Sequence, residues 1–287
     1  MSDVLPHAVT ADTLRYRSGS PRVHWPAVLA GAYLVLILFW AFFPSLFTER
    51  NPLGIAVASK LMAPSAESWF GTDHLGRDVF TRIIYGTQNS LMATLIAVLI
   101  GLAVGSVIGL ISGFGPARLN AAIMRVVDVL LAIPNLLLSL AIVTALGFGL
   151  IPVAVAVGVG SVGSFARIMR SEVIRVKNLT FVESALLLGA SPVAVAVRHV
   201  LPHSWGPVVA LSAIEFGAAV LSVSALSFLG FGAPPPEIEW GLLVAEGRRY
   251  INTSWWLILF PSVFIVLTVV TANVIGQFLE QRLGIAR

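Results

Sequence analysis

The spacing of charges is the feature that most constrains this chain. Residues 129–166 run for 38 positions without a charged side chain, and residues 83–117 are likewise uncharged. A helix rises about 1.5 Å per residue and a bilayer's hydrocarbon core is about 30 Å thick, so roughly 20 apolar residues make one crossing. The composition agrees, with 57% hydrophobic residues, 11% charged residues and a mean hydropathy of +0.91. Soluble domains carry roughly 25% charged residues. An ordinary soluble globule, a disordered chain and a secreted disulfide scaffold are therefore excluded. The chain has no cysteine, which removes disulfides, thiolate metal sites and a Cys nucleophile. The expected fold class is all-α, a polytopic membrane protein.

Charges bracket six expected spans: 27–47, about 89–114, 122–146, 151–170, 207–229 and 255–277. The 38-residue run is too long for one helix, and Gly147-Phe148-Gly149 with Pro152 supplies a break for a tight turn. An even number of spans puts both termini on one side. With the N-terminus in the cytoplasm, 12 of the 18 Lys and Arg fall inside and 6 outside, a bias that favours this orientation. The inner set is Arg15, Arg17, Arg22, Arg118, Arg125, Arg167, Arg170, Arg175, Lys177, Arg198, Arg282 and Arg287. The first apolar run lacks a small-residue cleavage site and reads as a span, not a signal peptide. Residues 48–88 form an outer segment whose end, Val79 to Tyr85, reads as a short interfacial helix. Residues 171–206 form the largest cytoplasmic loop.

Gly101, Gly105, Gly109 and Gly113 recur every four residues on one face of the second span. They allow close helix approach, either within the chain or to a second membrane subunit. Gly158-Val-Gly160-Ser-Val-Gly163 matches a dinucleotide fingerprint, but it lies in a span with no βαβ unit around it and reads as helix packing. Neither lysine follows a glycine, so there is no P-loop. His199 and His203 lack a third ligand for a metal. Asp73 and Asp78 read as a capped outer turn. Glu215 is the acidic residue well inside a span; it either bonds a neighbouring helix or lines a translocation path.

The cytoplasmic loop is the most informative segment. Helix formers over 182–188 stop at Gly189, where φ > 0 is expected. Ser191 is a good N-cap, and Pro192 opens a second helix expected to end before Pro202. Two short helices with exposed apolar groups make either a surface for another protein or an amphipathic face on lipid.

Glu183-x-Ala185-x3-Gly189, followed by Arg198-His199-Val-Leu201-Pro202, resembles the E-A-A loop of inner-membrane permease subunits of bacterial ABC importers, in the dipeptide/oligopeptide/nickel branch. Gly71-Thr-Asp73-x-x-Gly76-Arg77-Asp78-x3-Arg82, Asp128-x5-Pro134 and Leu226-Ser-Phe-Leu-Gly230-Phe-Gly232 resemble its C-type subunit in the same order. The sequence departs from that pattern at Ser184, Gln88, Val223 and Gln277 and at the C-terminal Gly-Ile-Ala-Arg.

The resemblance implies a type I importer permease fold. Residues 1–70 would hold a tail, the first span and an outer loop. Residues 71–287 would form the permease core, with a coupling loop at about 181–203. That loop would dock on an ATPase through Glu183, Ala185, Gly189, Ala190, Arg198, His199, Leu201 and Pro202. Implied partners are a homologous second permease, two cytoplasmic ATPase subunits that bind the ATP, an extracytoplasmic solute-binding protein and the bilayer. No cofactor, metal, nucleic acid or bond chemistry is expected of this chain. The implied solutes are di- or oligopeptides, with nickel or glutathione as alternatives. A secondary transporter is a remote alternative, because no internal repeat is seen.

Overall fold

The computed structural model describes residues 25–282, so Arg15, Arg17, Arg22, Arg287 and the C-terminal Gly-Ile-Ala-Arg lie outside them. Among the described residues the regular structure is helical: α1 (Trp25–Phe42), α2 (Val79–Phe114), α3 (Ala117–Ala132), α4 (Asn135–Leu146), α5 (Leu150–Lys177), α6 (Thr180–Leu187), α7 (Pro192–Val195), α8 (Leu201–Phe228), α9 (Trp240–Gly247) and α10 (Trp256–Arg282).

Three expected boundaries shift, each for a local reason. Asp78 caps α2, accepting from Thr81 N at 2.9 Å and Thr81 Oγ1 at 2.8 Å. Val79 to Tyr85 are therefore the first turns of α2 and not a separate interfacial helix. The third span is not one helix: α3 and α4 meet at a 93° bend. Pro134 lies at the corner, where its ring disfavours helix in Ile133, which is extended at ψ 129°. The helix opened by Pro192 does not end before Pro202. It passes through a π-helical turn, Ala196–Val200, directly into α8. The Leu201 N–H reaches back five residues to the Ala196 carbonyl. The widened turn accommodates a proline that would otherwise clash with the preceding turn.

The expected turn between the third and fourth spans is present. Gly147 and Gly149 have φ of +96° and +134°, and α5 starts at the next residue.

Helices α2 and α5 form the spine, and their seam is the expected glycine face. A Cβ on Gly105 would lie 2.6 Å from the Val162 carbonyl oxygen. On Gly109 it would lie 2.6 Å from that of Ala166, and on Gly113 it would lie 2.7 Å from Val173 Cγ1. A Cβ on Gly101 would collide with Ser161 Oγ. These glycines are covered by the chain's own α5, so they are not a contact surface for a second subunit. The fingerprint-like glycines are packing positions too: Gly158 meets α2 at Ala97, Gly160 meets Asn135 and Gly163 meets Leu131.

Residue numbers rise together along the seam, so α2 and α5 run parallel. The segment between them must therefore return the chain to the starting side. It does so along α5: Arg170 Nε donates to Asn120 Oδ1, Arg167 to Asp128, and Ser139 Oγ to the Ala156 carbonyl. The bent pair is thus the third crossing, and the described residues make six.

Replacing Gly105 or Gly109 with Leu should drive these backbones apart, at about 1–3 kcal/mol each. The expected result is a lower melting temperature and a lower yield of monodisperse permease. Gly31→Leu, where an added Cβ meets nothing within 4 Å, should leave both unchanged. Equal behaviour of the two sets in a thermal melt would contradict the seam.

Candidate functional site

At the end of the bundle where α2 and α5 finish, α6 and α7 make a leucine-tipped turn. Val182, Val195 and Val200 root it in the core at 0% exposure, while Leu187 and Leu188 stand 88% exposed at its tip. The turn closes by two backbone bonds, Ala190 N to the Ala185 carbonyl at 3.1 Å and Gly189 N to the Leu186 carbonyl at 3.0 Å. This pair of bonds is the Schellman arrangement, which needs a left-handed residue at Gly189. Gly189 has φ +88°, as expected from the sequence, and open space where a Cβ would point. Ser191 Oγ accepts from Ala194 N and caps α7. Ser184 fits the departure from the motif by bonding the Thr180 carbonyl at 2.8 Å.

The eight expected loop residues fall on this one protrusion and its root. Glu183 and Arg198 are exposed, and Ala185 and Ala190 are half-buried at the closed turn. His199, Leu201 and Pro202 lie on the π turn and the start of α8. His203 Nδ1 pairs with the His199 carbonyl at 2.7 Å, and Phe181 of α6 lies against the His203 ring at 5.2 Å. That contact joins α6 to the root of α8.

Glu215 is half-buried midway along α8, with Ser164 of α5 as its polar neighbour. It is near neither the protrusion nor the outer network described next.

Sequence reading missed an ion-pair network at the opposite end. Asp73 Oδ2 accepts from Arg77 Nε at 2.6 Å and from Arg82 Nη1 at 2.8 Å. Arg82 Nη1 also reaches Glu246 Oε2 at 2.6 Å, and Arg77 Nη2 reaches the same oxygen at 3.3 Å. Asp73, His74 and Glu246 could form a metal set by distance alone. The two guanidiniums already occupy Asp73 Oδ2 and Glu246 Oε2, and the Leu75 and Arg77 N–H groups occupy Asp73 Oδ1, so the cluster is an ion-pair network. Burial pushes the Asp73 carboxyl up. The Arg77 N–H, the Arg82 guanidinium, the Leu75 N–H and the Arg77 charge outweigh it and hold the carboxyl below its ordinary value.

A second lock lies about two helical turns away, at Ser90 of α2 and at Glu239, which precedes α9. Glu239, fully buried, accepts from Ser90 Oγ at 3.1 Å and caps α9 through Leu242 N at 3.1 Å. Trp240 N donates to Ser90 Oγ, and Trp240 Nε1 donates to the Ile83 carbonyl. Short α9 is thus bonded to α2 at both ends. The sequence signal for this network was the Arg77/Arg82 spacing beside Asp73, but its carboxylate partner lies 164 residues from Arg82.

The sequence profile of the binding-protein-dependent transport system inner membrane component family matches residues 105–285. The dipeptide transport system permease protein DppC of Alkalihalophilus pseudofirmus is 37% identical over 239 residues, covering 83% of this chain and 77% of its own. The glutathione transport system permease protein GsiD of Pectobacterium atrosepticum is 37% identical over 260 residues, covering 90% and 86%. Among solved structures, the methionine ABC transporter MetNI in an inward-facing conformation aligns with a TM-score of 0.58 at 17% identity. That alignment covers 70% of this chain and 96% of the other, and it is a likeness of fold.

Removing one partner from a buried ion-pair network costs about 3–5 kcal/mol. Asp73→Ala should therefore lower the melting temperature and open the segment before α2 to protease. Because the Asp73 value is depressed by folding, its contribution is complete above the ordinary Asp range. It is lost as pH falls through the lower folded value. Wild-type protein should lose protection at the outer end as pH drops below that range, and Asp73→Asn should flatten the profile in a pH series of hydrogen exchange. An unchanged profile in Asp73→Asn would contradict the assignment.

Proposed function

The chain belongs to the binding-protein-dependent transport system inner membrane component family, and from that premise we propose that it forms half of the translocation path of an ATP-driven importer for short peptides. The family is a transport component, so the chain is a permease and not an enzyme. Relatives named for dipeptide and glutathione transport share a peptide backbone as solute, which favours peptides as the solute class. A homologous second permease would supply the other half of the path. Two cytoplasmic ATPases would bind ATP, and a solute-binding protein would deliver the cargo outside. The permease lies in the bacterial inner membrane, with both termini in the cytoplasm. The tie of Asp73 to Glu246 through Arg77 and Arg82 supports starting the core at residue 71, ahead of the family match.

The observation that carries this reading is the protrusion of α6 and α7. Its tip presents Leu187, Leu188 and Val193 to solvent, and an exposed apolar cluster on a rigid turn fits a groove in another protein. Closure of the ATPase pair on ATP would pull this tip and rock the bundle from inward-facing to outward-facing, and hydrolysis would reset it. Glu215 would line the path at the middle of α8.

Gly189→Val tests the coupling. A β-branched residue at φ +88° is strained by about 1–3 kcal/mol, enough to misplace α6 but not to unfold six helices. The variant should insert at normal levels and lose solute-stimulated ATP hydrolysis and uptake in proteoliposomes. Glu183→Ala, which removes a charge from the first turn of α6, should show a milder loss. Full stimulated hydrolysis in Gly189→Val would sink the coupling role.

Topology is tested by single cysteines in the naturally Cys-free chain. Cysteine at Ser65 and Thr253 should react with an impermeant reagent from outside, and cysteine at Ser191 only after permeabilisation. Ser18, the natural N-terminal site for the same test, lies outside the described residues. The reverse pattern would invert the orientation.

A further inference from the structure

A partly open cavity of about 400 Å³ lies between α1, α2, α8 and α10. Its walls include Ile37, Leu38, Leu95, Leu99, Phe216 and Ile275, and no charged side chain lines it. Three of its four wall hydroxyls have partners within the protein. Tyr33 bonds the Phe264 carbonyl and Thr268, Thr268 bonds the Phe264 carbonyl, and Ser212 bonds the Val208 carbonyl. A water in a cavity needs two to four polar partners, and among the wall hydroxyls only that of Thr271 is left to supply one. Folded interiors are close-packed, so a void of this size calls for an apolar occupant.

Depth selects that occupant. The cavity touches α1 at 33–38, α2 at 91–102, α8 at 212–216 and α10 at 268–275, near the middle of each helix. Lipid headgroups do not reach that level, but hydrocarbon tails do. Its outer wall, α1, is the least buried candidate span, at 22% of its apolar window against 56% for α5. Leu29, Val35 and Phe39 on α1 are exposed apolar groups facing away from the bundle. Leu34, Leu38, Leu95 and Leu99 of its lining are themselves exposed, so the cavity opens between α1 and α2 at this apolar depth. We infer that it is a binding site for a phospholipid acyl chain, which enters beside α1 and fills the space between α1 and α8.

The test uses the assembled importer reconstituted in liposomes containing a phospholipid with a mid-chain diazirine. Irradiation followed by peptide mapping should place label on residues 91–102 and 268–275, as well as on the outer face of α1. Ala213→Phe, which projects a ring into the cavity, should reduce label at the cavity walls several-fold and leave label on Val35 and Phe39 unchanged. Ala213→Met serves the same purpose with a more adaptable side chain if the phenylalanine variant does not assemble. Wall label that persists undiminished in both variants would overturn the site. Wall label present in the isolated permease but absent from the assembled importer would assign the cavity to the second permease and equally overturn it.

Discussion

The contact between α2 and α5 is the constraint on which the rest of the structure depends. Four glycines at a spacing of four bring two helices close enough that backbone carbonyls meet the glycine face. In a bilayer, helices gain little from burying apolar surface against one another, because lipid is equally apolar. Close packing is then the main attraction, and small residues are what permit it. The parallel direction of this seam also dictates the topology, because the intervening segment must cross back. Proline at 134 breaks that crossing, and the bond partners strung along α5 show that the two halves still track one helix.

The two ends of the bundle are built from different forces. The end where α2 begins is held by charge: Asp73, Arg77, Arg82 and Glu246 join the segment before α2 to α9. A buried ion pair adds little net stability over a well-packed apolar alternative, but removing one partner is costly. Such a network therefore fixes geometry. The end that carries α6 and α7 is held by buried valines at its root and by a backbone turn at its tip, with no ion pair among the described residues of the tip. One end is thus locked onto its own chain, while the other presents unpartnered apolar surface.

Much of this was legible in the residues. Charge spacing gave the spans, and the glycine periodicity gave the seam, because both are properties of single helices. Gly189, Ser191 and Pro192 gave the turn between α6 and α7, because helix caps are set by local chemistry. Three kinds of feature were not legible. The bend at Pro134 and the uninterrupted passage through Pro202 depend on how the surrounding helices accept a proline, so the same residue type broke one helix and was absorbed by the other. The Arg82–Glu246 pairing joins residues distant in sequence, and no local pattern announces it. Whether the glycine face met this chain or another could be decided only by finding α5 against it.

The absorption of Pro202 bears on how the proposed coupling would work. Had the second loop helix ended there, the protrusion would be a separate element joined to the bundle by a flexible link. A pull on its tip would then be dissipated in that link. Instead α7, the π turn and α8 run as one stretch of 37 helical residues, Pro192–Phe228. The other side of the protrusion is fastened as well, through Phe181 against His203 and through Val182 in the core. Displacement at Gly189 must therefore move α8 as a lever. α8 carries Glu215 at its middle and ends where Ser224 packs against Gly241 of α9. The far end of that lever reaches the helix that the outer network ties to α2. One continuous helix thus runs from the base of the α6–α7 turn to α9, which the charged network ties to α2, and under the proposed coupling it would carry movement of the turn to that network.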